Sequence, residues 1–527
     1  KRDGRTADFK IDKITDAVEK AFQASGAMQD RGVAADIAQK VVDKIEDGAI
    51  EGIPTVEGIQ DLVEETLIQE GFARTAKAYI LYRKQREKVR NINSALVNYK
   101  DLVDGYLKVN SWRVKENSTV TYSVGGLILS NSGAITANYW LSEVYDEEIA
   151  RAHRSAAIHL HDLSMLTGYC AGWSLKQLIQ EGLGGVPGKI TSAPAQHLST
   201  LCNQMVNFLG IMQNEWAGAQ AFSSFDTYLA PFVKIDNLSQ KEVKQCVQSF
   251  IYGVNTPSRW GTQAPFSNVP LDWTVPKDLA NLPAIVGGKE LDFTYGDCQK
   301  EMDMVNKAFI EIMIEGDANG RGFQYPIPTY SITSDFDWSE TENNKLLFEM
   351  TAKYGTPYFS NYINSDMEPN DVRSMCCRLR LDLRELRKKS GGFFGSGEST
   401  GSVGVVTINM PRIAYLSKDE KEFYSRLDAL MDLSARSLKT KRTVITRLLE
   451  QGLYPYTKRY LGTFDNHFST IGLIGMNEVG LNAKWLQADL TDPKVQRFTT
   501  EVLNHMRERL SDYQEKYGDL YNLEATP

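Results

Sequence analysis

Apolar side chains recur at helical spacing along the first ninety residues. Ile14, Ala17, Val18, Ala21 and Phe22 form one face, Ile37, Val41 and Ile45 a second, and Ile59, Leu62, Val63 and Leu67 a third. Asp12 stands where it would cap the first helix; Thr55, after Gly52-Ile53-Pro54, would cap the third. A fourth helix is predicted over about 73–90, carrying Arg74, Lys77, Arg83, Lys84, Arg86, Lys88 and Arg90. By composition alone such a helix is a solvated charged face. Farther on the pattern changes. Apolar or β-branched runs at Ala156–His161, Val403–Asn409 and Ser469–Gly475 alternate with helical patterns near 341–354, 419–452 and 494–517. That alternation predicts an α/β architecture, and periodicity leaves open whether the sheet closes. The expected organisation is a helical unit over 1–90, a connector over 91–120 and an α/β domain over 121–527.

Composition narrows the class. At 527 residues the chain can bury a large core, and its net charge of -8 argues against a nucleic-acid surface while leaving room for local phosphate pockets. No apolar run is long enough for a membrane span, so no membrane role is expected. The six cysteines, at 170, 202, 246, 298, 376 and 377, contain no Cys-x-x-Cys. Few cysteines in a large chain suit a reducing, cytoplasmic setting.

The candidate chemistry is concentrated in a few places. Cys376 and Cys377 are adjacent, among Arg373, Arg378 and Arg380, and a glycine-rich stretch over 390–402 leads from them into the run ending at Asn409-Met410-Pro411. A cysteine on a loop beside a buried strand can be a reagent, although a cysteine pair also packs as a small hydrophobe. His159 and His161 alternate along a strand and share one face, with Asp162 next. Two histidines and an aspartate could ligate a metal, but no third nitrogen or sulfur ligand stands near, and hydrogen bonding in a pocket is the expected use. Cys170 sits among glycines that leave it reachable, and the polar loops at 218–226 and 254–263 are turns or ligand loops.

Lys1-Arg2-Asp3-Gly4-Arg5, Phe9 with Asp12-Lys13-Ile14, Thr55-Val56-Glu57 with Ile59-Gln60-Asp61-Leu62, and Ala78-Tyr79-Ile80-Leu81-Tyr82-Arg83 resemble the ATP-cone, a regulatory nucleotide sensor. The resemblance places Lys1, Arg2, Lys13, Thr55 and Lys84 at the adenine nucleotide, with ATP activating and dATP inhibiting. Several cations and a helix N-terminus suit a triphosphate.

Residues 120–527 resemble the catalytic subunit of class III, anaerobic ribonucleoside-triphosphate reductases. The resemblance rests on His159-Leu160-His161-Asp162, Cys170, Gln220-Ala221-Phe222 through Asp226, Met375-Cys376-Cys377-Arg378, Val405-Val406-Thr407-Ile408-Asn409 and Gly475-Met476-Asn477-Glu478. It implies a ten-stranded α/β barrel of the glycyl-radical type behind a small, mostly helical ATP-cone. It implies a homodimer, with higher oligomers under dATP, a dNTP specificity site and a radical-SAM activating enzyme. Its substrates would be ribonucleoside triphosphates. Cys377 would carry the thiyl radical that takes hydrogen from C3′, Cys170 would deliver hydrogen to C2′, and Asn409 would hold ribose hydroxyls. His159, His161 and Asp162 would bind substrate.

Leu379 stands where aerobic relatives carry a glutamate base. The resemblance then favours formate as co-substrate, oxidised to CO2, with Glu478 the carboxylate that would argue for a thioredoxin-type reductant. The glycine that stores the radical and a four-cysteine zinc site are expected beyond Pro527. A pyruvate formate-lyase-like enzyme shares adjacent cysteines and a similar barrel, but lacks an ATP-cone and leaves Cys170 unexplained.

Overall fold

The computed structural model describes residues 8–27, 29–50, 54–107, 122–258, 263–363 and 399–525. The chain divides into two compact units, Lys1–Leu107 and Lys108–Pro527.

The first unit is four helices: α1 (Asp12–Ser25), α2 (Arg31–Glu46), α3 (Val56–Gln69) and α4 (Ala73–Leu107). The predicted apolar faces meet in its core, where Val18, Phe22, Ile37, Val41, Val63 and Leu67 are buried and Phe72 sets its ring edge-on to Phe22. Thr55 caps α3 as expected, its hydroxyl accepting the Gly58 N–H at 3.0 Å. Asp12 does not cap α1. Ile11 is the cap residue, and Asp12 is the first helical residue, where its charge favours the positive helix terminus. Helix α4 runs past the expected end near Arg90 to Leu107, because neither glycine nor proline interrupts the chain before Gly105.

The second unit is built on one mixed sheet. Its strands are β1 (Ile158–Leu160), β2 (Cys170–Trp173), β3 (Gln220–Phe222), β4 (Ser267–Leu271), β7 (Ile327–Ile332), β8 (Tyr358–Asn361), β9 (Gly401–Asn409), β10 (His467–Ile474) and β11 (Leu520–Ala525). Strands β5 (Pro283–Val286) and β6 (Lys289–Thr294) form a separate ribbon. The main order is β11-β10-β9-β2-β3-β4-β7-β8, with β1 also against β9, so the described residues contribute nine strands where the resemblance implies ten in the whole barrel. The sheet has two parallel blocks, β2-β3-β4-β7-β8 and β9-β10-β11, that run in opposite directions and join where β2 meets β9.

Helices cover this sheet and bury its apolar residues, as parallel strands require. The long helix Glu420–Glu450 lies on β9, and Gly404 lets the Lys441 stem approach: a Cβ there would sit 2.9 Å from Lys441 Cδ. Asp226, from the polar segment after β3, is fully buried. Its carboxylate accepts the backbone N–H groups of Thr227, Asp272 and Trp273 and the Asn306 amide, tying a helix start to the end of β4. Burial and then the neighbouring Asp272 push its acid up to about 7. This motif residue holds the fold together. Among the described residues no helix is long and apolar enough to cross a membrane.

Candidate active site

Strand register decides which side chains share a face. Cys170, with 0% exposure, lies directly across from Ser402. A register shift between Phe468 and Ser469 then skips one residue of β9. After it Thr470 pairs with Val405, yet Ser402 Oγ still reaches Thr470 Oγ1 at 2.8 Å. Cys170, Ser402, Val405, Thr407 and Asn409 therefore line one face. His159 lies across from Thr407, and His161 joins through a 2.8 Å hydrogen bond between Nε2 and Thr407 Oγ1. Thr470 extends the row to its register partner Asn522.

The histidines pack together: ring centres are 4.6 Å apart for His159 and His161 and 5.4 Å for His153 and His159. Burial, then the neighbouring His159, push His161 down to about 4. It is a neutral imidazole at pH 7. Asp162 follows in a left-handed backbone conformation (φ 56°), with one buried carboxylate oxygen lacking a hydrogen-bond partner. Burial pushes its acid up, while Lys441 opposes that shift; burial in turn pushes Lys441 down.

Asn409 reaches the face at the carboxyl end of β9, but both ends of its amide have partners. Its Oδ1 accepts the Arg412 N–H at 3.1 Å, capping the helix Met410–Leu416, and its Nδ2 donates to Ala156 O at 3.0 Å. As placed, it ties the β1 entry to the β9 exit. Behind Cys170, His467 is fully buried, stacked on Trp216 at 5.4 Å and held neutral by burial, which pushes it down to about 3.

Cys170, His159, His161 and Asn409 thus share one face of the sheet, with Asn409 seven residues farther along β9 than Ser402, the partner of Cys170. Cys376, Cys377 and Leu379 lie outside the described residues, as do Lys1 and Arg2. In the helical unit Lys13 and Lys84 are exposed, on α1 and α4, while Arg83 is engaged by Asp61 and Glu64 at 2.6 and 2.8 Å. Sequence reasoning missed Ser402, Thr470 and Asn522. The only sequence signal was polar residues inside apolar runs. Among the described residues no three His, Cys, Asp or Glu side chains cluster as metal ligands.

Two opposed parallel blocks covered by helices, with a buried thiol at their seam on a face rich in hydroxyls, amides and imidazoles, give a mixed α/β sheet of the kind that carries enzyme sites. Comparison with known proteins gives the particular family. Residues 116–527 match anaerobic ribonucleoside-triphosphate reductase, and residues 1–88 match the ATP cone domain. The chain belongs to the anaerobic ribonucleoside-triphosphate reductase family. The enzyme of that name from Haemophilus influenzae is 23% identical over 100% of this chain and 76% of its own length. The anaerobic ribonucleotide reductase from Thermotoga maritima in complex with dATP and CTP superposes with a TM-score of 0.62 at 21% identity, covering 83% of this chain and 75% of that one. The same enzyme with dATP bound in the specificity site matches at a TM-score of 0.57 and 19% identity, over 99% and 78%.

Proposed function

We propose that this chain reduces ribonucleoside triphosphates to 2′-deoxyribonucleoside triphosphates under adenine-nucleotide control from its helical first unit. The observation that carries the reading is Cys170, a buried cysteine at the β2–β9 seam of a reductase-family sheet. Direct loss of the 2′-hydroxyl from a saturated carbon is slow. Removing hydrogen from C3′ first makes loss of water from C2′ easy. In this reading the Cys377 thiyl takes that hydrogen and Cys170 Sγ–H supplies one at C2′ from the opposite side of the sugar. The glycyl radical that the family carries would supply the unpaired electron for Cys377. His161, neutral and bonded to Thr407, orients polar groups without adding charge, and Asn409 ties the end of β9 to the entry of β1.

Formate balances the reaction: one ribonucleotide, one formate and one proton give one deoxynucleotide, one CO2 and one water. A radical-SAM activase and a homodimeric assembly belong to the same proposal. Lys1, Arg2, Lys13, Thr55 and Lys84 hold ATP or dATP in the first unit. The test is anaerobic turnover of CTP by the full-length enzyme with its activase and formate. Labelled formate should yield labelled CO2 one for one with dCTP. No dCTP overturns the reading; dCTP formed with a dithiol protein and without labelled CO2 overturns only the reductant.

A further inference from the structure

Asn522 lies on the Cys170 face, three strands away across β9 and β10, and is 2% exposed. Its orientation is set by a row of hydroxyls. Ser402 Oγ–H is shared between Gly404 O at 3.1 Å and Thr470 Oγ1 at 2.8 Å, and Thr470 Oγ1 donates to Asn522 Oδ1 at 2.9 Å. Ser402 and Thr470 are fully buried, so the row has no water to exchange with. The amide oxygen is thereby committed to Thr470. The amide nitrogen, with two N–H donors, is buried and has no hydrogen-bond partner. Burying such a donor unpaired is unfavourable, and native structures leave few in that state without a reason.

We infer that Asn522 is a further substrate-contact residue, its N–H groups presented by the Ser402–Thr470 row to an oxygen acceptor of the ribonucleotide bound before Cys170. The inference rests on the reading above. Neighbouring strands lie about 4.8 Å apart, so three steps along the sheet span about 14 Å. One ligand that meets both the thiol and the amide is elongated. With C2′ at Cys170, the acceptor is a phosphate or base-carbonyl oxygen. A nucleoside triphosphate has acceptors at both ends, and a neutral amide donor suits either.

The test is ribonucleotide binding to the full chain carrying Asn522→Ala or Asn522→Asp, with dATP binding to the first unit as control. Asn522→Ala should weaken CTP binding about tenfold or more at unchanged dATP affinity. Asn522→Asp, nearly isosteric, keeps the packing, replaces the donor with a carboxylate and should weaken CTP further. Cytidine separates the two ends: the loss disappears with cytidine for a phosphate contact and persists for a base contact. CTP affinity within twofold of the parent in both variants overturns the inference and leaves the proposed function standing. A parent chain that binds dATP but no ribonucleotide overturns both.

Discussion

Cys170 and Ser402 are cross-strand partners at the seam where the two parallel blocks of the sheet meet in opposite directions. The thiol therefore sits at a change of strand direction, where β1 and β2 share one edge of β9. That puts it on one face of the sheet with polar groups from β1, β9 and β10.

Replacing Cys170 with serine should abolish deoxynucleotide formation while leaving dATP binding intact. A serine O–H bond is much stronger than a thiol S–H, so in the proposed mechanism hydrogen delivery at C2′ would stop. The check is dCTP yield in anaerobic turnover beside dATP affinity. Normal yield would remove Cys170 from the mechanism.

Gly401 is a packing constraint on the same thiol. A Cβ at this position would lie 2.3 Å from Cys170 O and 2.8 Å from the His467 ring. Gly401→Ala should destabilise the large unit by about 1–3 kcal/mol and displace β2. Urea unfolding measures the first effect and a drop in turnover of the remaining folded enzyme the second.

Stability should fall in acid between pH 6.5 and about 4, with His161 as one cause. An unfolded histidine titrates near 6.5, and the folded His161 is pushed down to about 4. Protons therefore bind the unfolded chain first. The stabilising contribution of the neutral ring, at most about 3 kcal/mol, is complete above 6.5 and lost as pH falls through 4. His161→Gln retains a partner for Thr407 and should flatten this part of the pH profile, measured by denaturant unfolding. His467 adds a second contribution of the same sign.

Thr55→Ala removes the hydroxyl that accepts the Gly58 N–H. It should cost the helical unit about 1 kcal/mol, and Thr55→Ser should restore it. Thermal unfolding of the full chain, followed by hydrogen exchange in α3, reads the difference.

Reversing the exposed cations Lys13 and Lys84 to glutamate should weaken dATP binding by about a hundredfold or more, since each charge-assisted phosphate contact contributes roughly 1.5–3 kcal/mol. Equilibrium dialysis with labelled dATP checks this. Unchanged affinity would move the nucleotide site elsewhere.

Local rules made part of this molecule legible. The faces of α1, α2 and α3 follow from helical spacing, and the Thr55 cap from its place before an apolar run. The strands at Ile158–Leu160, Gly401–Asn409 and His467–Ile474 match the predicted runs, and the helices at Glu342–Tyr354 and Pro493–Tyr517 the predicted patterns. Strands β2 and β3, with four and three residues, are buried throughout and show no alternation to read. The pairing of Cys170 with Ser402 and the row to Asn522 depend on register and on one irregularity beside Phe468. No local pattern encodes those. Asn409 illustrates a different limit. Its place before Met410-Pro411 signals a helix cap, whereas the resemblance assigns it to ribose.

Strand β9 has a kinetic consequence. It pairs with Ile158–Leu160 and Cys170–Ala171, some 230 to 250 residues earlier in sequence, and with His467–Ile474, about 65 residues later. Such pairings close long loops before they gain any stabilisation, and they form slowly. The helices of both units can form from local contacts well before this ladder does. Under mild denaturing stress the chain should therefore stop turning over while its circular dichroism still reports most of its helix, because the proposed mechanism places its thiol on the most non-local ladder among the described strands.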